Sequence, residues 1–179
     1  MVSRSASQMG ATCAIAGSVL LFIGTYLHPM SADPNQAAAA FAEYAADPLW
    51  VASHLTQLAG VALIVAALLL LAQQLRAGSA AAWAAIAAGA AIVSLAVAVV
   101  LQAVDGIALK RMVDAWVAAP AAQKEGVFHA AFAVRQIEIG LASCAAIMVL
   151  CFDMRAFRTC LCLTSRQDPR RVPPPAAME

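Results

Sequence analysis

Charge is what this chain has least of. Asp, Glu, Lys and Arg together make up 12% of its 179 residues, against 63% hydrophobic residues and a mean hydropathy of +0.81. A water-soluble domain of this length needs far more polar surface, so a soluble enzyme or binding module is excluded and a small polytopic membrane protein is implied. Neither sign dominates: the formal net charge is +1, and no basic stripe interleaved with aromatics is present. Nucleic acid is therefore not an expected partner.

Cysteine is sparse and badly placed for chemistry. There are five, an odd number: Cys13, Cys144, Cys151, Cys160 and Cys162. Cys160-x-Cys162 lacks the spacing of a redox Cys-x-x-Cys and has no second pair to complete a zinc site. The cysteines read as reduced, small apolar side chains, which disfavours a thiol enzyme of the vitamin K epoxide reductase type. Two further signals are missing. No small-x-small cleavage pattern follows the first apolar run, which ends at Tyr26-Leu27-His28-Pro29, so a retained helix is expected in place of a signal peptide. No apolar run carries the paired Gly/Pro interruption near its middle that transporter sites use, so transport has the least support.

What is present is four long apolar runs: roughly Ala11 to Leu27, Trp50 to Ala72, Ala82 to Val104 and Ala133 to Phe152. Each meets or approaches the ~20 residues a helix needs to cross a bilayer. With short loops between them there is room for one domain over residues 1–157, followed by a disordered polar tail over 158–179 containing Arg170-Arg171-Val172-Pro173-Pro174-Pro175. Arg4, Arg76, Arg155, Arg158, Arg166, Arg170 and Arg171 all fall on one side of such a four-pass chain. The positive-inside rule then places both termini in the cytoplasm of a bacterial inner (plasma) membrane.

The opposite side has the two longer loops. Asp33-Pro34-Asn35 offers a helix start, and Gln36 to Ala46 is rich in helix formers until Asp47-Pro48 stops it. In the second loop Asp105-Gly106 is expected to break the third helix. Ile107 to Ala118 then places Leu109, Met112, Val113 and Trp116 on one face, the pattern of a short helix lying in the interface. The expected fold is all-α: a four-transmembrane-helix bundle roofed on the outer side by two short interfacial helices. Gly17, Gly60, Gly89 and Gly140 are expected to permit close helix packing.

Alternating passage through the membrane gathers nearly every polar residue of the apolar runs at that roofed end: His28, His54, Gln57, Gln102, Asp105, His129, Arg135 and Glu138. Ionisable groups in hydrocarbon are costly and mark candidate sites. Ser53, His54, Gln57 and Gly60 share one broad helix face, and Arg135 and Glu138 are three apart, so they can pair. Asp105 at a helix C-terminus opposes the macrodipole and needs a partner, for which Arg135, Lys110 or a histidine is available. Two chemistries compete for these residues. One is acid–base catalysis, with Glu138, Asp105 and His54 exchanging protons and Gln57, Arg135 and Gln102 orienting a lipophilic substrate from the outer leaflet, as a cyclase or isomerase requires. The other is a metal or haem site using His28, His54 and His129; no His-x-x-x-His or Glu-x-x-His motif supports it, and no metal or cofactor is expected. A third, non-enzymatic reading makes the cluster interhelical glue or a surface that docks a partner subunit.

His28-Pro29, Trp50-x-x-x-His54-x-x-Gln57-x-x-Gly60, Ala103-Val104-Asp105-Gly106-x-Ala108-Leu109-Lys110 and Val134-Arg135-x-x-Glu138-x-Gly140 resemble segments of small bacterial four-helix membrane proteins of unassigned function, over about residues 11 to 155. The resemblance implies a topology and no activity. In size and topology the chain is also similar to bacterial membrane-integrated terpene cyclases, which act on prenylated substrates. The expected partners are the bilayer, a lipophilic small molecule and a further copy of the chain in a homo-oligomer.

Overall fold

A computed structural model describes residues 4–76 and 80–166, with side chains described as far as Ile147. The described residues form helices and turns and contain no strand. The order is α1 (Arg4–Tyr26), α2 (Ala37–Ala46), α3 (Trp50–Gln74), α4 (Ala81–Gln102), a π-helical turn (Ala103–Leu109), α5 (Lys110–Ala118) and α6 (Ala121–Arg166). Four stretches are long and apolar enough to cross a membrane: Arg4–Tyr26, Trp50–Gln74, Ala81–Ala118 and Ala121–Ile147. Ile15, Phe22, Ile86, Ile92 and Ile137 on these stretches are each more than half exposed, which water would not tolerate and lipid tails would. The chain is a multi-pass membrane protein.

Helices α1 and α3 run antiparallel with their backbones nearly touching. A Cβ added to Gly17 would stand 2.7 Å from the Gly60 carbonyl oxygen, and one added to Gly60 would stand 2.7 Å from that of Gly17. Gly24 meets the Ser53 carbonyl and the Gln57 side chain just as closely. Small residues replace the missing hydrophobic drive in lipid by letting backbones approach. Gly89 and Gly140 behave otherwise: nothing lies within 4 Å of where their Cβ would be, so the packing role expected for them is not found.

A second departure concerns Asp105-Gly106. The helix does not break there; α4 passes through the π turn and continues as α5 to Ala118. Widening the turn to π geometry absorbs the glycine without ending the hydrogen-bonded rod. The helical rod ends instead at Ala119, held extended (ψ 138°) ahead of Pro120. At its far end α6 stays helical to Arg166, past the expected start of the polar tail at 158, and residues 167–179 lie outside those described.

The most deeply buried cluster sits at one end of the helices. Phe41 and Tyr44 of α2, Trp50 of α3, Leu109 and Val113 of the α4–α5 rod and Ala131 of α6 pack together, with Met112, Trp116, Phe128 and Val134 around them. The Leu109, Met112, Val113 and Trp116 face thus turns inward onto α2 and α6. Lys110 ties α5 to α2: its Nζ donates to the carbonyls of Tyr44 (3.1 Å) and Ala45 (2.8 Å) while pairing with Asp114 at 2.8 Å. A cation on the orphan carbonyls at a helix C-terminus satisfies them and complements the macrodipole. Together α2 and α5 cap this end, which also holds the polar residues.

Candidate functional site

The site is organised around Trp50, which is fully buried at the first turn of α3. Its indole N–H donates to the backbone carbonyl of Asp105 at 3.1 Å. Its ring lies against three others, with centroids 4.3 Å from Tyr44, 4.6 Å from His54 and 4.8 Å from His28. Residues from the exit of α1, from α2 and from α3 are thereby locked to the π turn.

One turn along α3, His54 is 2% exposed. Its Nδ1 is 2.7 Å from the Trp50 carbonyl and its Nε2 is 3.2 Å from Asp105 Oδ2. Ser53 donates its hydroxyl to the same Trp50 carbonyl at 2.8 Å. The partner that Asp105 needed is therefore His54, while Lys110 is engaged on α2. Only glycine fits at position 106: an added Cβ would stand 2.6 Å from His54 Cβ. The π turn and Gly106 together bring the Asp105 carboxylate to the imidazole. The other carboxylate oxygen, Oδ1, is buried with no hydrogen-bond partner among the described residues.

Deeper along the same two helices, Gln102 Nε2 donates to Gln57 Oε1 at 3.1 Å, leaving Gln102 Oε1 buried with no partner among the described residues. On α6, Arg135 donates to Glu138 Oε2 at 2.6 Å. The pair is well shielded, with side-chain exposures of 17% and 10%. Arg135 also lies 5.6 Å over the Tyr44 ring, which links the ion pair to the Trp50 stack. Glu138 is in electrostatic reach of Asp105 and His54. Burial holds the Tyr44 phenol above its ordinary range, although the Arg135 guanidinium pulls it back.

The polar residues gathered by the sequence pattern thus fall into three joined pairs: His54–Asp105, Gln57–Gln102 and Arg135–Glu138. His129 stands apart, 69% exposed and facing Glu125 one turn earlier on α6 at 3.8 Å. His28 belongs: its ring is 5.1 Å from that of His54. Sequence reasoning gave Tyr44 no part in the site, Lys110 only that of a candidate Asp105 partner, and Trp50 only a place in a motif. Their signal lay in long-range contacts between a loop helix and the helix ends, which no periodicity records. Cavities of about 360 Å³ between α2 and α5 and about 170 Å³ between α2 and α6 flank the cluster. The smaller is mostly apolar, lined by Phe41, Phe132 and Ile139 with Asn35, Arg135 and Gln136 among them.

Comparison with protein families, curated proteins and solved structures finds no match to this chain.

Proposed function

We propose that this is a small membrane enzyme of the inner (plasma) membrane that performs acid–base chemistry, of the cyclase or isomerase kind, on a lipophilic molecule reaching it from the outer leaflet. Glu138 and Asp105 are the proton-exchanging carboxyls, His54 shares the Asp105 proton, and Arg135, Gln57 and Gln102 fix the geometry. Both termini are cytoplasmic in this reading, and α2 and α5 lie on the outer side. The observation that carries it is Arg135, which lines the mostly apolar 170 Å³ cavity and also donates to the carboxylate of Glu138. A lipophilic molecule entering between α2 and α6 meets a charged group coupled to a shielded acid, the arrangement of an apolar pocket with few polar groups. The arginine-poor side of the sequence supports the orientation.

A structural reading has its own observation: His54, Asp105, Gln57, Gln102, Arg135 and Glu138 each have a side-chain partner within the cluster, and His54 has both ring nitrogens engaged. Stability separates the two. A catalytic Glu138 leaves Glu138→Gln as stable as wild type or more so, because functional carboxylates are kept at a cost to the fold. A structural pair makes the same change, and Arg135→Ala, destabilising by about 3–5 kcal/mol. Thermal unfolding of the purified protein in detergent reads the difference directly, and a large loss for Glu138→Gln would overturn the enzymatic reading.

A further inference from the structure

His28, His54 and Asp105 each present one ligand atom, and these atoms lie within 4.8 Å of one another. The hydrogen-bond pattern says which atoms are free. A backbone carbonyl can only accept, so the 2.7 Å contact of His54 Nδ1 with the Trp50 carbonyl puts the ring hydrogen on Nδ1. Ser53 reinforces this, because its hydroxyl hydrogen is directed to the same carbonyl. In the neutral ring Nε2 is then a bare lone pair, and it faces Asp105 Oδ2 at 3.2 Å. An ionised carboxylate has only lone pairs to offer in return. Two such atoms at that distance need positive charge between them.

His28 repeats the pattern. Its Nδ1 is 2.9 Å from the Pro29 carbonyl, which leaves its Nε2 as the lone pair. An imidazole that donates one ring N–H to a backbone carbonyl and offers the other nitrogen is the arrangement that surrounding shells impose on metal-bound histidine. Bonds of about 2.0–2.2 Å in a tetrahedral site place neighbouring ligand atoms about 3.3 Å apart. The 3.2 Å between His54 Nε2 and Asp105 Oδ2 matches this, and within the 4.8 Å span of the group His28 closes in by rotating its ring toward the ion. Asp105 Oδ1 remains buried and unpartnered, an acceptor that nothing in the described residues satisfies. Trp50 packs against both imidazoles and holds their planes, and Gly106 lets the carboxylate approach.

From this geometry we infer that His28, His54 and Asp105 form a site for a divalent transition-metal ion of the zinc class, with one coordination position left open. Two imidazoles and one carboxylate suit zinc, cobalt or copper, and disfavour calcium and magnesium, which take oxygen ligands. Three protein ligands with an open fourth place is the form of a reactive site and not of a closed structural one. The inference goes beyond the proposed acid–base chemistry and does not need it. With a cation in place, His54 and Asp105 act as ligands, and Glu138 is the carboxyl left to exchange protons.

The test uses the full chain, purified in detergent without a polyhistidine tag, stripped with chelator and titrated with cobalt(II). One cobalt per chain is expected, with the visible ligand-field bands of a four-coordinate ion, displaced by one equivalent of zinc. His28→Ala and Asp105→Asn are expected to weaken binding at least about tenfold, whereas His129→Ala leaves it unchanged. Because ligand removal can also loosen the fold, His28→Cys serves as a second variant. It supplies a replacement ligand and is expected to retain cobalt while adding an intense thiolate-to-cobalt charge-transfer band. Absence of stoichiometric cobalt binding by the wild-type chain overturns the inference. So does binding that His28→Ala leaves intact, or that His129→Ala reduces equally. None of these results depends on Glu138, whose stability test judges the acid–base reading separately.

Discussion

The two ends of the α3–α4 hairpin are held together by different chemistry. At the end capped by α2 and α5, Trp50, His54 and Gln57 reach across to Asp105 and Gln102 through directional bonds, over a fully buried aromatic stack. At the other end, Leu69, Ala72, Gln73 and Arg76 face Ala81, Ala84, Ala85 and Ala88, and the short side chains leave a crevice of about 470 Å³. Alanine brings helices near one another but reaches nothing beyond them, and in lipid an unfilled crevice costs little because tails can enter it. The difference teaches where this chain concentrates its specificity: one end is positioned to within a hydrogen bond, the other only to within a helix diameter.

The sharpest way to break that comparison is to remove its centre. Trp50→Ala deletes a side chain of zero exposure that touches Tyr44, His28 and His54 and holds the Asp105 carbonyl. A loss of about 3–5 kcal/mol is expected, read as a lowered midpoint of thermal unfolding in detergent. Ala88→Leu at the opposite end fills part of the crevice and is expected to stay within about 0.5 kcal/mol of wild type. Equal losses for the two variants would mean that the ends are not distinct.

A smaller contrast sets glycine against glycine. Gly60→Ala drives a methyl group against the Gly17 carbonyl, a backbone atom that cannot swing aside. Overpacking of that kind is expected to cost about 1–3 kcal/mol. Gly140→Ala meets nothing within 4 Å and removes only glycine's excess backbone freedom, so it is expected to be neutral or to stabilise by up to about 1 kcal/mol. Parallel unfolding curves of the two variants decide it; a destabilised Gly140→Ala would reveal a neighbour, such as a second copy of the chain.

That contrast also marks how far the sequence could be read. Four apolar runs, the α2 helix between Asn35 and Asp47, the Arg135–Glu138 pair and the gathering of polar residues at one end are consequences of length, composition and local spacing, and all were legible. Gly17 and Gly60 looked no different from Gly89 and Gly140, because whether a glycine meets a backbone depends on a neighbouring helix that the local sequence does not show. Asp105-Gly106 read as a stop because glycine and an acid at a helix end usually are one; the π turn that carries the chain through is sustained by the Trp50 indole and the His54 ring, both about fifty positions away in sequence. The apolar face of α5 was legible in its residues, whereas its packing on α2 and α6 was not, since amphipathicity alone does not say what such a face meets.

The smallest expected effect sharpens the comparison at the edge of the cap. Glu43 of α2 accepts the backbone N–H groups of Ser31 and Ala32, each at 2.9 Å, and so tethers the exit turn that carries His28 onto Trp50. Those two N–H groups, Ala32 foremost, hold the Glu43 carboxyl below its ordinary value, and nearby His28 adds to the effect. A carboxyl with a depressed folded value contributes stability that is complete above the ordinary glutamate range and lost only as pH falls through the lower, folded value. The amide resonances of Ser31 and Ala32 are therefore expected to stay unchanged from neutral pH down through about 4.3, the value of an unperturbed glutamate, and to shift together below it. Global unfolding should scarcely register the step, because the carboxylate faces solvent and such contacts are worth little. Glu43→Gln is expected to abolish the titration while leaving the unfolding midpoint nearly unchanged. Amide shifts that move at or above the ordinary glutamate range would show that the tether is not formed, and that the exit turn is held by the Trp50 stack alone.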